Sequence, residues 1–355
     1  MIKRLLLVPI LLWSSWSAFG QSKDCANRLL DARNEFNAGR LEKVAPMLAP
    51  CLKNGGFTGA QEIEANKLLC LSSLYNNEQE KAEEYMLRFL TLNPEYKINA
   101  AIDPPEFIHI YNRFRTRPVL VWGVEAGFLS GFIQRDQFHS LSSDSEQERG
   151  EFSQLYGLNV QVAFEYYLNE KWALHSGLGY QYSQFLYQQK DRFNISGDYQ
   201  GYSTLDFSQS QSSILLPLHL QYVFGPREQQ VFLRAGGSYM FNFINSANAS
   251  RDDQLGNINS KIEQAGIDIG SMRNMHNASL DASVGFRKKN ILGNGWLSAE
   301  LGFSYGMLLE NNPDGRYDNT KLIYEYGYLD SDYRRHNIWL KFAYYLPVYK
   351  PKLVR

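Results

Sequence analysis

Residues 157–184 read GLNVQVAFEYYLNEKWALHSGLGYQYSQ. Leu158, Val160, Val162, Phe164 and Tyr166 fall on every second position, with Glu165 on the opposite side, which is the period of a strand with one apolar face. Asn169-Glu170-Lys171 interrupts the pattern, and alternation resumes at Trp172. The stretch predicts two antiparallel strands joined by a short turn.

The same pattern recurs from Val119 onward in eight runs, near 119–127, 157–168, 172–184, 212–224, 230–242, 278–287, 296–307 and 336–347. Each is roughly ten residues long, enough for a tilted strand to cross a bilayer. The connections alternate in length. Those after the second, fourth and sixth runs are short (169–171, 225–229 and 288–295), and those after the first, third, fifth and seventh are long and polar. Outer-membrane barrels have short periplasmic turns and long extracellular loops. A soluble β-sandwich would not put Leu297, Ala299, Leu301, Phe303 and Tyr305 outward on a strand. Tyr166, Trp172, Tyr222, Trp296 and Tyr344, near the short-turn side, form the expected aromatic girdle. The fold class expected is an all-β transmembrane barrel of eight antiparallel strands over residues 118–348, followed by a periplasmic tail at 349–355.

Composition agrees. Aromatic residues make up 14% of the chain, with 23 Tyr and 21 Phe, while charged residues make up 21%. A net charge of -1 supplies no polybasic surface, so nucleic acid is not an expected partner. Lys3 and Arg4 precede an apolar run from Leu5 to Trp13, and Ala18-Phe19-Gly20 offers the small residues of an export cleavage site. Residues 1–20 therefore read as a signal peptide.

Residues 21–98 follow helical spacing. Ala26, Leu29, Leu30, Ala32 and Phe36 share a face, Gly39 ends that helix, and Leu41, Val44, Leu48 and Leu52 begin a return leg shortened by Pro46 and Pro50. The next helix carries apolar residues on two sides, Ala65, Leu68 and Leu71 on one, Ile63, Cys70 and Leu74 on another, and is expected between neighbours. Ala82 and Pro94 are spaced as in a tetratricopeptide repeat, which this module resembles. Cys25 and Cys51 meet at the open end of an antiparallel hairpin; in an oxidising compartment they are expected to form a disulfide stabilising by roughly 3 kcal/mol. Cys70 is expected to be a buried free thiol.

Between the halves, residues 99–117 combine Asp103 as a helix N-cap, Pro104-Pro105-Glu106, the aromatic spacing of Phe107, Tyr111 and Phe114, and Arg113, Arg115 and Arg117. Two readings stand: an interfacial helix with aromatics against lipid and arginines at headgroup level, or a linker helix packed on the helical domain.

The export signal, the tetratricopeptide-like helices, the DPPEF helix and the eight alternating runs together resemble the PorT-like outer-membrane β-barrel proteins of gliding and type IX secreting bacteria. Unlike such barrels, this chain runs on past Tyr344-Tyr345 to Lys352 and beyond. The resemblance implies an accessory subunit of a secretion or motility machine.

The inward faces carry Glu125, Glu165, Arg234, Asp281, Arg287, Glu300 and Lys341, with His175 and His219. An eight-stranded barrel is filled by side chains, so these charges are expected to pair across the lumen. For catalysis, Ser130, His336 and Asp332 are the candidate triad at the outer strand ends, with His276 and His139 nearby, but the spacing matches no nucleophile motif. Acidic loop residues Asp144, Glu146, Glu148 and Glu151, and Asn312, Asp314 and Asp318, lack calcium-loop spacing. No catalytic centre, cofactor or metal is expected. The leading reading is a non-catalytic outer-membrane barrel holding a periplasmic helical module, whose exposed Arg40, Lys43, Glu80 and Glu84 contact a periplasmic or outer-membrane protein, with lipid around the barrel. The alternatives are a small pore or surface ligand receptor, and a lipid-modifying or proteolytic enzyme.

Overall fold

The computed structural model describes residues 18–141, 150–192, 201–289, 291 and 294–354. Residues 1–17, most of the stretch read as a signal peptide, and Asp144, Glu146 and Glu148 lie outside them. The chain divides into two compact units, one of residues 18–118 with 349–354 and one of residues 119–348.

The first unit is built on helices α1 (Ala18–Asn37), α2 (Val44–Lys53), α3 (Gly59–Tyr75), α4 (Gln79–Leu92) and α5 (Pro105–Tyr111). Thr58 and Gln61 form a reciprocal capping box that starts α3. Its two apolar sides serve two cores. Ala65, Leu68 and Leu69 pack with Leu29, Ala32, Val44 and Leu48, while Cys70 packs with Ala82, Met86, Phe89 and Leu90. Cys25 and Cys51 are joined by a disulfide, with Cα atoms 5.7 Å apart. Cys70 is free and buried, and burial pushes its thiol up to about 12.

The interfacial reading of residues 99–117 is corrected here. Phe107 and Ile110 are fully buried in the second core, and Arg113 pairs with Glu83 at 2.7 Å. A helix of seven residues gains little from its own hydrogen bonds, and it forms because its apolar face completes the gap beside α3 and α4. Asp103 is not the N-cap either: that position is Pro104, and the Asp103 carboxylate accepts from Lys67 Nζ and Tyr96 Oη, each at 2.6 Å, and from the Asn99 amide.

Residues 349–354 are likewise no tail. Strand β11 (Lys352–Leu353) pairs antiparallel with β1 (Phe114–Arg115), and the Tyr349 hydroxyl donates to Glu95 at 2.5 Å. Phe114 and Leu353 join the core around Phe107. The chain thus leaves this unit at Pro118 and returns to it at Tyr349.

The second unit holds β2 (Pro118–Gln137), β3 (Glu151–Tyr167), β4 (Trp172–Arg192), β5 (Gly201–Phe224), β6 (Gln229–Leu255), β7 (Ile258–Asp268), β8 (His276–Lys289), β9 (Trp296–Gly306) and β10 (Asp332–Tyr349). Strands β2 to β6 pair antiparallel in sequence, β6 pairs on with β8, β8 with β9 and β9 with β10, and β10 neighbours β2, which closes a ring of eight with β7 attached outside it to β6. On β3, Leu158, Val160, Val162, Phe164 and Tyr166 are exposed, while Asn159, Gln161, Ala163 and Glu165 are buried. The outer surface is therefore apolar and the interior polar.

The strands outrun the expected ten-residue lengths. β6 has 27 residues, about 90 Å at ~3.3 Å per residue, against a hydrocarbon layer of about 30 Å. On β5 the outward residues change at Ser212. Ile214, Leu216, Leu218 and Leu220 follow it, whereas Thr204, Asp206, Ser208 and Ser210 precede it. What read as long loops after the third and fifth runs is largely continued strand, missed because its outward face is no longer apolar. Trp172, Tyr166 and Tyr222 ring the short-turn end, and Tyr180 and Tyr182 stand eight and ten residues along β4 from Trp172, a separation that matches one bilayer crossing. Trp296 is corrected: it is 3% exposed and faces inward, since the outward residues of β9 are the odd ones. Beyond the belt, the strand extensions and α6 (Thr320–Tyr324) enclose a second core of Leu205, Phe207, Ile267, Ile269, Leu322, Tyr326 and Tyr328.

Candidate functional site: the barrel lumen

Strand parity places Glu125, Glu165, Arg234, Asp281, Arg287, Glu300 and Lys341 inside the barrel, all buried. Arg234 lies at the centre. Its Nε donates to Gln221 at 2.6 Å, Nη1 to Glu300 at 2.6 Å and Glu125 at 3.2 Å, and Nη2 to Glu165 at 2.8 Å and the Tyr345 hydroxyl at 3.0 Å. A guanidinium has five N–H groups, and all five are used. The plane rests over Phe232, 4.6 Å from the ring centre. Gly285 makes this possible, because a Cβ at that position would collide with the Phe232 ring.

Toward the short turns, Arg287 Nη1 donates to Glu165 at 2.7 Å and its Nη2 bonds the Tyr167 hydroxyl. The guanidinium stacks 4.3 Å from Trp296, which closes this end with Val121, Tyr167 and Tyr345. Toward the long loops, Lys341 Nζ approaches Glu125 at 3.5 Å. His175 Nε2 lies 3.0 Å from Glu125, His175 Nδ1 lies 3.3 Å from His219 Nδ1, and His219 Nε2 lies 3.0 Å from Asp281. Asp281 also accepts from Ser238, from Ser279 at 2.9 Å and from Ser304 at 2.6 Å.

Above this layer a polar cavity of about 30 Å³, lined by Asn159, His219, Ser238, Asn337 and Lys341 among others, has room for roughly one water molecule. A second charged layer follows. Arg335 pairs with Glu310 at 3.2 Å and donates to Ser183 at 2.6 Å, and Arg273 pairs with Asp330 and donates to Gln209 at 2.6 Å.

The seven charges read from the sequence thus meet in one bonded layer. Tyr345 and Tyr167 were missed although parity could have found them, as they share the inward faces of Lys341 and Glu165. Arg273, Asp330 and Glu310 lie between strands, where no period marks them.

The candidate triad of Ser130, His336 and Asp332 does not converge. Ser130 is outward on β2, and His336 accepts from the Gly306 amide and bonds Gln134 among the rings of Phe132, Phe303 and Tyr305. Asp332 pairs with Arg316, Asn311 and His139, and His276 with the Tyr239 hydroxyl. On the helical unit, Arg40 and Lys43 both pair with Glu35, Glu84 pairs with Arg88, and Glu80 is exposed. None of the four lines the groove of about 440 Å³ that this unit presents between Leu74, Asn77 and Gln79 on one side and Glu106, His109 and Arg113 on the other. Asn77, at φ 62°, makes the tight turn at its rim.

Residues 117–292 match the outer membrane protein β-barrel domain family. Comparison with curated proteins gives no match. Among solved structures the chain is similar to Neisserial surface protein A (9% identity, 64% of this chain and 96% of that one, TM-score 0.27) and to OprG from Pseudomonas aeruginosa (11%, 65% and 97%, 0.28). It is also similar to Ail of Yersinia pestis (13%, 64% and 98%, 0.23). With the closed ring of eight antiparallel strands, the apolar belt and the family match together, this is an outer-membrane β-barrel protein.

Proposed function

We propose that the protein is a non-catalytic anchor of the bacterial outer membrane, holding its helical unit in the periplasm for a protein partner. The observation that carries this reading is Arg234, whose five N–H groups reach partners on five other strands across the lumen, which supports a barrel with no aqueous path at that level. A barrel filled in this way acts through what it carries. Loop lengths support a periplasmic position for the short turns and an extracellular one for the long loops. The helical unit supplies exposed charges at Arg40, Lys43, Glu80 and Glu84, which we assign to partner recognition, and the PorT-like pattern points to a secretion or motility machine. The test is affinity purification of the full-length protein from native envelopes. Reversing the four charges together should leave the protein in the outer membrane and remove one specific protein from the eluate. An unchanged eluate would reject these residues as the contact surface.

A further inference from the structure

We propose that the barrel lumen binds one proton beyond those of two neutral histidines, shared between His175 and His219. The two ring planes are parallel to within 4°, and the rings join Glu125 to Asp281 through three contacts, at 3.0, 3.3 and 3.0 Å. Each contact needs one proton. A neutral imidazole that donates Nε2–H to a carboxylate leaves Nδ1 as a bare acceptor, so two neutral rings would oppose two lone pairs at 3.3 Å. A third proton on this pair resolves the clash: one Nδ1–H donates to the other. If a carboxyl held the extra proton instead, it would donate to Nε2 and leave only two protonated nitrogens on the pair, which is the arrangement the proposal excludes.

Charge makes the same demand independently. Glu125, Glu165 and Glu300 on β2, β3 and β9 are matched by Arg234, Arg287 and Lys341 on β6, β8 and β10. Asp281 on β8 is 7% exposed, and its bonding partners among the described residues are three serine hydroxyls and His219. An ionised carboxylate buried without a cation is expensive, and the shared proton neutralises it. A divalent metal between the two Nδ1 atoms would instead leave the layer with a net positive charge, beside Arg234 and Lys341.

The test is nitrogen NMR of the full-length protein, 15N-labelled at histidine and folded in detergent at pH 7.5. Three protonated nitrogens on the pair, with a coupling across Nδ1–H···Nδ1, are expected. Two protonated nitrogens would overturn the proposal, as would an Nδ1 pair whose signals change on adding a chelator. In Asp281→Asn the new amide donates to His219 Nε2, so the chain is complete with two neutral rings and the count should fall to two. Because the unfolded chain's histidines are neutral above about pH 6.5, unfolding the wild type releases the extra proton, and its folding constant should fall by up to tenfold per pH unit above that value relative to Asp281→Asn. Equal pH dependence of the two thermal midpoints would contradict this. If Asp281→Asn does not fold, the wild-type proton count decides alone.

Discussion

Arg234 shows how one residue can determine what a barrel does. It meets Glu125, Glu165 and Glu300, three buried carboxylates from three other strands. Arg234→Ala would leave those carboxylates buried with only Lys341 and Arg287 to answer them, a loss of about 3–5 kcal/mol by analogy with broken buried pairs. The folded barrel of the variant, followed by its heat-dependent shift on cold SDS gels, should melt well below the wild type. An unchanged midpoint would mean the network contributes nothing net. At the other unit, the equivalent lock is Lys67 with Asp103. Burial opposes both charges, yet the Asn99 amide, Lys67 and Tyr96 hold the Asp103 carboxyl below its ordinary value, and Asp103 and Tyr96 hold the Lys67 ammonium above its own. The sign follows for each. The Asp103 contribution is complete above about pH 4 and is lost as pH falls through the lowered folded value, whereas that of Lys67 is complete below about pH 10.4 and is lost as pH rises through the raised one. Helical content measured against pH should therefore fall at acid pH in the wild type. In Asp103→Asn that acid loss should be smaller, from a lower starting stability.

At the scale of elements, legibility followed period. The alternation of Val119 to Tyr345 gave strand number, antiparallel order and which residues face inward, because lipid on one side and packed charge on the other force a two-residue repeat. Once β5 and β6 pass Ser212 and Ile244 into water, the outward face no longer needs apolar residues, and the same strands read as loop. Trp296 was misread for a related reason: its position at a strand end suggested a girdle, while its parity pointed inward against Arg287. The 104–117 segment could not be resolved from sequence, since aromatics at helical spacing suit a lipid interface and a protein core equally. In the structure Phe107 is fully buried beside Phe89. Phe107→Ala should therefore destabilise the helical unit by about 3–5 kcal/mol, read as earlier loss of the helical signal on heating. A change under 1 kcal/mol would place this ring outside the core. The return of β11 to β1 had no sequence signal at all, because a pairing of two residues carries no period.

At the scale of the whole molecule, the chain devotes its longest strands to a barrel whose interior is filled at two levels, by the Arg234 layer and by the layer of Arg273 and Arg335 with Asp330 and Glu310. Neither layer has the form of a conduit, and both use residues that an open channel would keep hydrated. The account therefore rests on the barrel being sealed. The most direct measurement is ionic current through planar lipid bilayers containing the full-length purified protein, recorded at neutral pH across a range of voltages. The account predicts current no larger than that of the bare membrane, with no discrete steps. Reproducible stepwise conductance from the wild-type protein would contradict it.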